Sequence, residues 1–176
     1  MINPLWLAVD TADPRQARAL VAACAPHLGG VKLGLEFFVA NGPEGVRAAM
    51  AGVGLPLFLD LKLHDIPHTV ARAVAAAAAL APALLTVHAA GGPAMIAAAR
   101  GAAPPATRII AVSVLTSLDD EDLRAAGVAG GAMAQVVRLA GLARDAGADG
   151  LVCSPQEVAE VARRWPGGFL VVPGIR

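Results

Sequence analysis

Residues 57–69 read Leu57-Phe58-Leu59-Asp60-Leu61-Lys62-Leu63-His64-Asp65-Ile66-Pro67-His68-Thr69. The run Leu57–Leu61 is short, apolar and bounded by turn and cap residues, as a strand buried on both faces should be. Similar runs occur at Leu5–Val9, Val31–Leu35, Leu84–His88, Ile109–Val114, Gly150–Cys153 and Phe169–Pro173. Their starts fall at 5, 31, 57, 84, 109, 150 and 169, so the first four gaps are 26, 26, 27 and 25 residues. A strand, a helix and two turns fill such a gap, and the even beat reads as repeated βα units. Seven such strands in series predict an α/β fold of the TIM (β/α)8 type, here with seven of its eight units, in a single domain over residues 1–176. A doubly wound sheet is the alternative. A dinucleotide-binding version would need GxGxxG after the first strand. That turn instead reads Asp10-Thr11-Ala12-Asp13-Pro14.

The segments between the runs carry helix-start signals. Asp13-Pro14 suits an N-cap followed by proline at the first helical position. Asp65-Ile66-Pro67 can open the helix after the third strand. Ser154-Pro155-Gln156-Glu157 has capping-box spacing, which makes Ser154 a better cap than nucleophile. The longest gap holds Ser117–Gly131, room for an excursion over a barrel mouth such as a lid.

Composition narrows the function classes. The 176 residues are 56% hydrophobic and 16% charged, which allows a large core and argues against disorder. Fourteen basic residues balance fourteen acidic ones, so nothing suggests a nucleic-acid surface. Alanine dominates and aromatics are only 3%, so helices should pack closely through small side chains. The apolar run Ala73–Leu85 is too short for a membrane span and contains Pro82; it reads as a core-facing helix running into a strand. The start reaches Asp10 too early for a signal-peptide core. Cys24 and Cys153 form no CxxC motif and read as two buried thiols in a reducing cytoplasm.

Polar residues mark the ends of the runs: Asp10, Lys32, Asp60 with Lys62, His88, Thr116 and Ser154. In an α/β barrel these ends meet on the face that carries the active site. Asp60 and Lys62 are two apart on a strand, which puts both side chains on one face. A buried ammonium needs carboxylate partners, and Asp60 and Asp65 would keep Lys62 charged. On spacing alone, an ion pair that only staples the barrel is an equal reading. His27, His64, His68 and His88 show no metal-ligand spacing. His64 is expected to face the helix layer, and His88 to line the barrel.

The stretch Phe58–Pro67 strongly resembles the signature of orotidine 5'-phosphate decarboxylases. The bare DxKxxD pattern is shared with magnesium-dependent sugar-phosphate decarboxylases and aldolases of a wider barrel suprafamily, which form the alternative reading. The following Ile66-Pro67 and Thr69 are more specific. Leu7–Asp10, Val31–Gly34, Val87–Ala89, Val114–Ser117, Val152–Ser154 and Pro173–Arg176 also resemble family landmarks, in family order. The resemblance implies a cofactor-free, metal-free decarboxylase in the cytoplasm, acting in de novo pyrimidine synthesis as a homodimer with shared active sites and no membrane or nucleic-acid partner. It implies that Lys62 donates the proton, with Asp60 and Asp65 completing the catalytic set. Asp10 and Lys32 would bind the ribose hydroxyls, Asp65 and Thr69 would reach the partner's site, Thr116 would sit against the pyrimidine, and Arg176 would contact the phosphate. In the family, a phosphate loop with a glutamine and a Gly-Arg-Pro on the last strand follow Pro-Gly-Ile-Arg. The 176 residues stop before both, so weak turnover or a non-catalytic fragment is a third reading.

Overall fold

The computed structural model describes residues 3–174. All seven apolar runs form strands: β1 Trp6–Val9, β2 Gly30–Gly34, β3 Leu57–Leu63, β4 Leu84–His88, β5 Arg108–Val112, β6 Gly150–Val152 and β7 Phe169–Val171. Between them lie the helices α1 Pro14–Cys24, α2 Leu35–Met50, α3 Pro67–Ala77, α4 Pro93–Ala102, α5 Asp120–Ala125, α6 Gly131–Asp145 and α7 Val158–Arg164. The strands follow one another in chain order. The pairs β1–β2, β2–β3, β5–β6 and β6–β7 are parallel. A doubly wound sheet reverses its strand order at a switch point. No reversal occurs here, which is the pattern of a barrel wall.

The chain gathers into two compact units. The first comprises the residues up to Leu61 with Ala76–Leu85 and Pro104–Thr107. The second comprises Lys62–Ala75, Thr86–Ala103 and the residues from Arg108 onward.

In the first unit, Asp13 caps α1 by accepting the Arg15 N–H at 2.8 Å, with Pro14 at the first helical position. The helix then buries Ala17 and Val21, one turn apart on one face. Helix α2 bends where Gly42 takes φ 60° ahead of Pro43, whose ring cannot continue the hydrogen-bond ladder. Val31, Leu33, Phe37 and Leu59 are fully buried. Trp6 lies opposite Gly30 in the β1–β2 register, and its ring occupies the space a side chain at Gly30 would need. The same ring meets Phe58 edge-on at 6.0 Å.

In the second unit, β5 buries Ile109, Ile110, Ala111 and Val112 in succession, so both faces of that strand are covered. Val70 and Val74 of α3 are buried, as are Met95, Ile96 and Ala99 of α4 and Val136, Ala140 and Ala143 of α6. Arg100 ties the end of α4 to Asp149 at 2.7 Å, and the same carboxylate oxygen accepts the Ile109 N–H at 2.8 Å. The buried alanines fit the expectation of close helix packing through small side chains.

Two local expectations need correction. Cys24 is only half-buried, unlike Cys153, because it ends α1 where the helix tightens into a short turn. Helix α7 begins at Val158, three residues later than a cap at Ser154 requires, and its N-cap position is held by Glu157 without a side-chain bond. Half of the expected box survives, since the Ser154 N–H donates to Glu157 Oε2 at 2.7 Å. The excursion Ser117–Gly131 contains α5 and ends where α6 begins.

Two glycines separate packing from helix propensity. A Cβ at Gly150 would be driven into the backbone oxygen of Phe169 in the neighbouring strand, whereas one at Gly141 in α6 meets open space. Gly150→Ala should lower stability by about 1–3 kcal/mol through overpacking. Gly141→Ala should be neutral or stabilising by up to about 1 kcal/mol. Thermal or urea unfolding of both variants checks this; equal melting points would contradict it.

Candidate active site

Within the first unit, Asp10 follows β1, Lys32 lies in β2 and Asp60 in β3. The register sets Val9 beside Leu33 and Gly34 beside Asp60, so the three side chains cluster at the carboxyl ends of adjacent strands. Lys32 Nζ stands 3.7 Å from Asp10 Oδ1 and 3.7 Å from Asp60 Oδ2. Both separations exceed hydrogen-bond length, so the attraction is Coulombic. Two unit charges about 4 Å apart gain about 4 kcal/mol at an effective dielectric constant of 20. Solvent weakens the Asp10 side, where the side chain is 76% exposed. The Asp60 side chain is 13% exposed and Lys32 22%, so this half of the bridge is the less screened. A carboxylate this far from solvent costs desolvation free energy, which the Lys32 ammonium helps to offset. The sequence-derived cluster of Asp10, Lys32 and Asp60 is therefore assembled as expected.

The second unit begins at Lys62. Its φ is 49°, in the left-handed region. An L-residue there costs about 1–2 kcal/mol, and such strain persists where surrounding contacts over-determine it. One contact is evident: the Lys62 N–H donates to Thr86 Oγ1 at 2.9 Å. Thr86 is fully buried in β4. Regular alternation, the basis on which the sequence put Lys62 on the face of Asp60, ends at this residue. Strand β3 ends one residue later, at Leu63, and α3 starts at Pro67.

That turn is held by Asp65, whose Oδ1 accepts the Ile66 N–H at 2.7 Å before Pro67 opens the helix. Asp65 and Thr69 are both exposed. His64 follows the last residue of β3. It is exposed, and its ring lies 5.3 Å from that of His88 with the planes inclined at 35°. Thr116 is exposed in the turn after β5. The excursion beyond it is built by acidic side chains: Asp119 accepts the Glu121 and Asp122 N–H groups, and Asp122 accepts that of Asp119. Asp120 Oδ1 accepts the Ala132 N–H at 2.7 Å and so fastens α5 to the first turn of α6. Arg176 lies outside the described residues. Sequence reasoning missed Thr86 and Asp120. In Leu84–His88 a threonine reads only as a strand former, and Asp120 sits inside a run of four acidic residues that gives no hint which one reaches α6.

Parallel βα units in chain order, with charged side chains at the carboxyl ends of the strands, are the architecture of a TIM-barrel enzyme. Residues 3–176 match the family described as "Orotidine 5'-phosphate decarboxylase / HUMPS family". The chain is 58% identical over its whole length to the orotidine 5'-phosphate decarboxylase of Sphingopyxis alaskensis, covering 78% of that relative. It is 53% identical to that of Novosphingobium aromaticivorans, again over the whole chain and 78% of the relative. The crystal structure of orotidine 5'-phosphate decarboxylase from Lactobacillus acidophilus superposes with a TM-score of 0.87 at 34% identity, over 99% of this chain and 82% of that one. The chain belongs to the orotidine 5'-phosphate decarboxylase / HUMPS family, and its fold is of the TIM-barrel type.

Cys153, just beyond β6, is near this end of the strands but is a poor nucleophile. Burial, reinforced by the Glu157 carboxylate, pushes its thiol up to about 11. The thiolate is the reactive form. Iodoacetamide at pH 8 should therefore alkylate half-exposed Cys24 at least tenfold faster than Cys153 in the folded protein, as peptide mass spectrometry would show. Equal labelling without unfolding would contradict this.

Proposed function

We propose that this chain decarboxylates orotidine 5'-phosphate to uridine 5'-phosphate and carbon dioxide, the reaction for which its relatives are named. The observation that carries the residue assignment is the charged cluster of Lys32 between Asp10 and Asp60, followed two residues along β3 by Lys62. The decarboxylase name of the relatives favours this reading over a magnesium-dependent sugar-phosphate enzyme.

In the proposed step, the bond between the pyrimidine ring carbon and its carboxylate breaks and the electron pair stays on that carbon. The pair lies in the ring plane and cannot delocalise into the π system. A fixed ammonium beside it, that of Lys62, stabilises the developing charge. Preorganised charge of this kind is usually the largest catalytic term. The ammonium then delivers its proton to the same carbon, and the neutral amine recovers a proton from solvent. The chemistry thus requires no organic electron sink. Asp60 crowds the substrate carboxylate and orients Lys62. Asp10 and Lys32 take the ribose hydroxyls; at 3.7 Å the Lys32 ion pairs are too long for hydrogen bonds, which suits an ammonium that also donates to a ligand. Thr116 rests against the pyrimidine and Arg176 meets the phosphate.

The proposal includes a homodimer in which Asp65 and Thr69 complete the partner's site. Their exposure at the start of α3 supports it, as does Ile66 between them, which is 65% exposed despite being apolar. It also places the reaction in the cytoplasm. No helix among the described residues is long and apolar enough to cross a membrane.

Lys62→Ala should abolish decarboxylation in an ultraviolet assay of orotidine 5'-phosphate loss, with circular dichroism unchanged. A variant keeping a tenth of the rate, a loss of only about 1.4 kcal/mol, would overturn the assignment of Lys62. Mixing Asp65→Ala protein with Lys62→Ala protein should restore activity, because each heterodimer would hold one site with both residues intact. Demonstrated subunit exchange without recovered activity would rule out shared sites.

A further inference from the structure

The mechanism above uses Lys62 but leaves open what holds its backbone in an unfavourable conformation. Three observations point to β4. Lys62 is one of only two non-glycine residues with positive φ among the described residues, and the other, Ala81, lies in a turn. Its N–H donates to a side-chain hydroxyl, Thr86 Oγ1, at 2.9 Å. Thr86 is one of the few buried polar residues, with no exposed surface at all. A buried hydroxyl is expensive unless it is hydrogen-bonded, and a hydrophobic valine would fill the same space in a strand at no such cost. Two residues further along β4, the His88 ring lies 5.3 Å from that of His64, so the strand meets the chain at Lys62 and again two residues beyond it.

We infer that Thr86 is a positioning residue for the decarboxylation: its hydroxyl holds Lys62 in the left-handed conformation and thereby fixes where the ammonium sits. The inference rests on the proposed role of Lys62. A side chain on a four-carbon stem inherits every shift of its backbone, and a small misplacement of a catalytic group lowers the rate strongly. The hydroxyl touches neither substrate nor reacting atoms in this account. Its loss should therefore affect the chemical step and leave ground-state binding nearly intact.

The test compares Thr86→Val, which keeps the shape and removes the hydroxyl, with Thr86→Ser, which keeps the hydroxyl. In the purified enzyme, Thr86→Val should lower kcat at least tenfold with KM for orotidine 5'-phosphate changed less than threefold. Thr86→Ser should stay within threefold of the unmodified enzyme in both. If Thr86→Val does not fold, Thr86→Ala replaces it, and the contrast with Thr86→Ser decides. A hydroxyl-free variant within threefold of full kcat, a loss carried by KM, or a serine variant as impaired as the alanine one would each overturn the inference. The strain itself is read without any activity. Lys62→Gly should melt at a higher temperature than Lys62→Ala, because glycine alone accepts positive φ without steric cost. The opposite order would show that the backbone is not strained. If the unmodified enzyme failed to decarboxylate orotidine 5'-phosphate, the proposed function would fall, and with it the kinetic role of Thr86. The melting order would still settle whether Lys62 is strained.

Discussion

The Lys32–Asp60 ion pair is the interaction on which the proposed site depends. A carboxylate as buried as Asp60 is unfavourable in isolation. Lys32, on the neighbouring strand, supplies the compensating charge, and Asp10 extends the row toward solvent. Parallel pairing of β1, β2 and β3 makes this possible, because it brings the carboxyl ends of all three strands to one level. The fold thus sets up an electrostatic field before any substrate arrives, and the core behind the strands keeps the positions of these charges fixed. Removing Lys32 would take away the positive charge that faces both carboxylates.

Lys62 shows a different use of free energy. Strand β3 continues past Asp60 and bends at the lysine into a positive φ. Hydrophobic burial along β4, with Leu84, Leu85, Thr86 and Val87 nearly inaccessible, keeps the strand from yielding. A rigid neighbour of this kind can hold a strained residue, whereas a mobile loop would let it relax. Beyond β5, the excursion that follows Thr116 is tied by short carboxylate-to-backbone bonds at Asp119, Asp120 and Asp122, at exposed positions.

Much of this organisation was legible in the sequence because buried parallel strands leave a strong trace. Leu84–His88 was located to the residue, and the other six strands within one or two residues at either end. The cap at Asp13 and the helix start at Pro67 followed from local chemistry. The charged residues at the strand ends were visible as polar interruptions of apolar runs, and Asp10, Lys32 and Asp60 do meet. What stayed hidden depends on tertiary contact. Period-two alternation carries no sign that Lys62 departs from extended geometry, and the hydroxyl that accepts its N–H lies 24 residues away. His64 could not be oriented without knowing that His88 lies beside it. The Ser154 box had the right spacing, but the chain makes a turn before α7 begins at Val158.

The central claim is that a pre-built charge row organises the site, with Lys32 at its middle. Its most direct test is kcat/KM for orotidine 5'-phosphate in a Lys32→Met enzyme, measured beside the unmodified protein with the fold checked by circular dichroism. Methionine keeps the length and apolar stem of lysine and removes the charge. The account requires a loss of at least a hundredfold, equivalent to about 2.7 kcal/mol of transition-state stabilisation. A folded Lys32→Met enzyme within threefold of the unmodified protein would show that the row does not organise the chemistry.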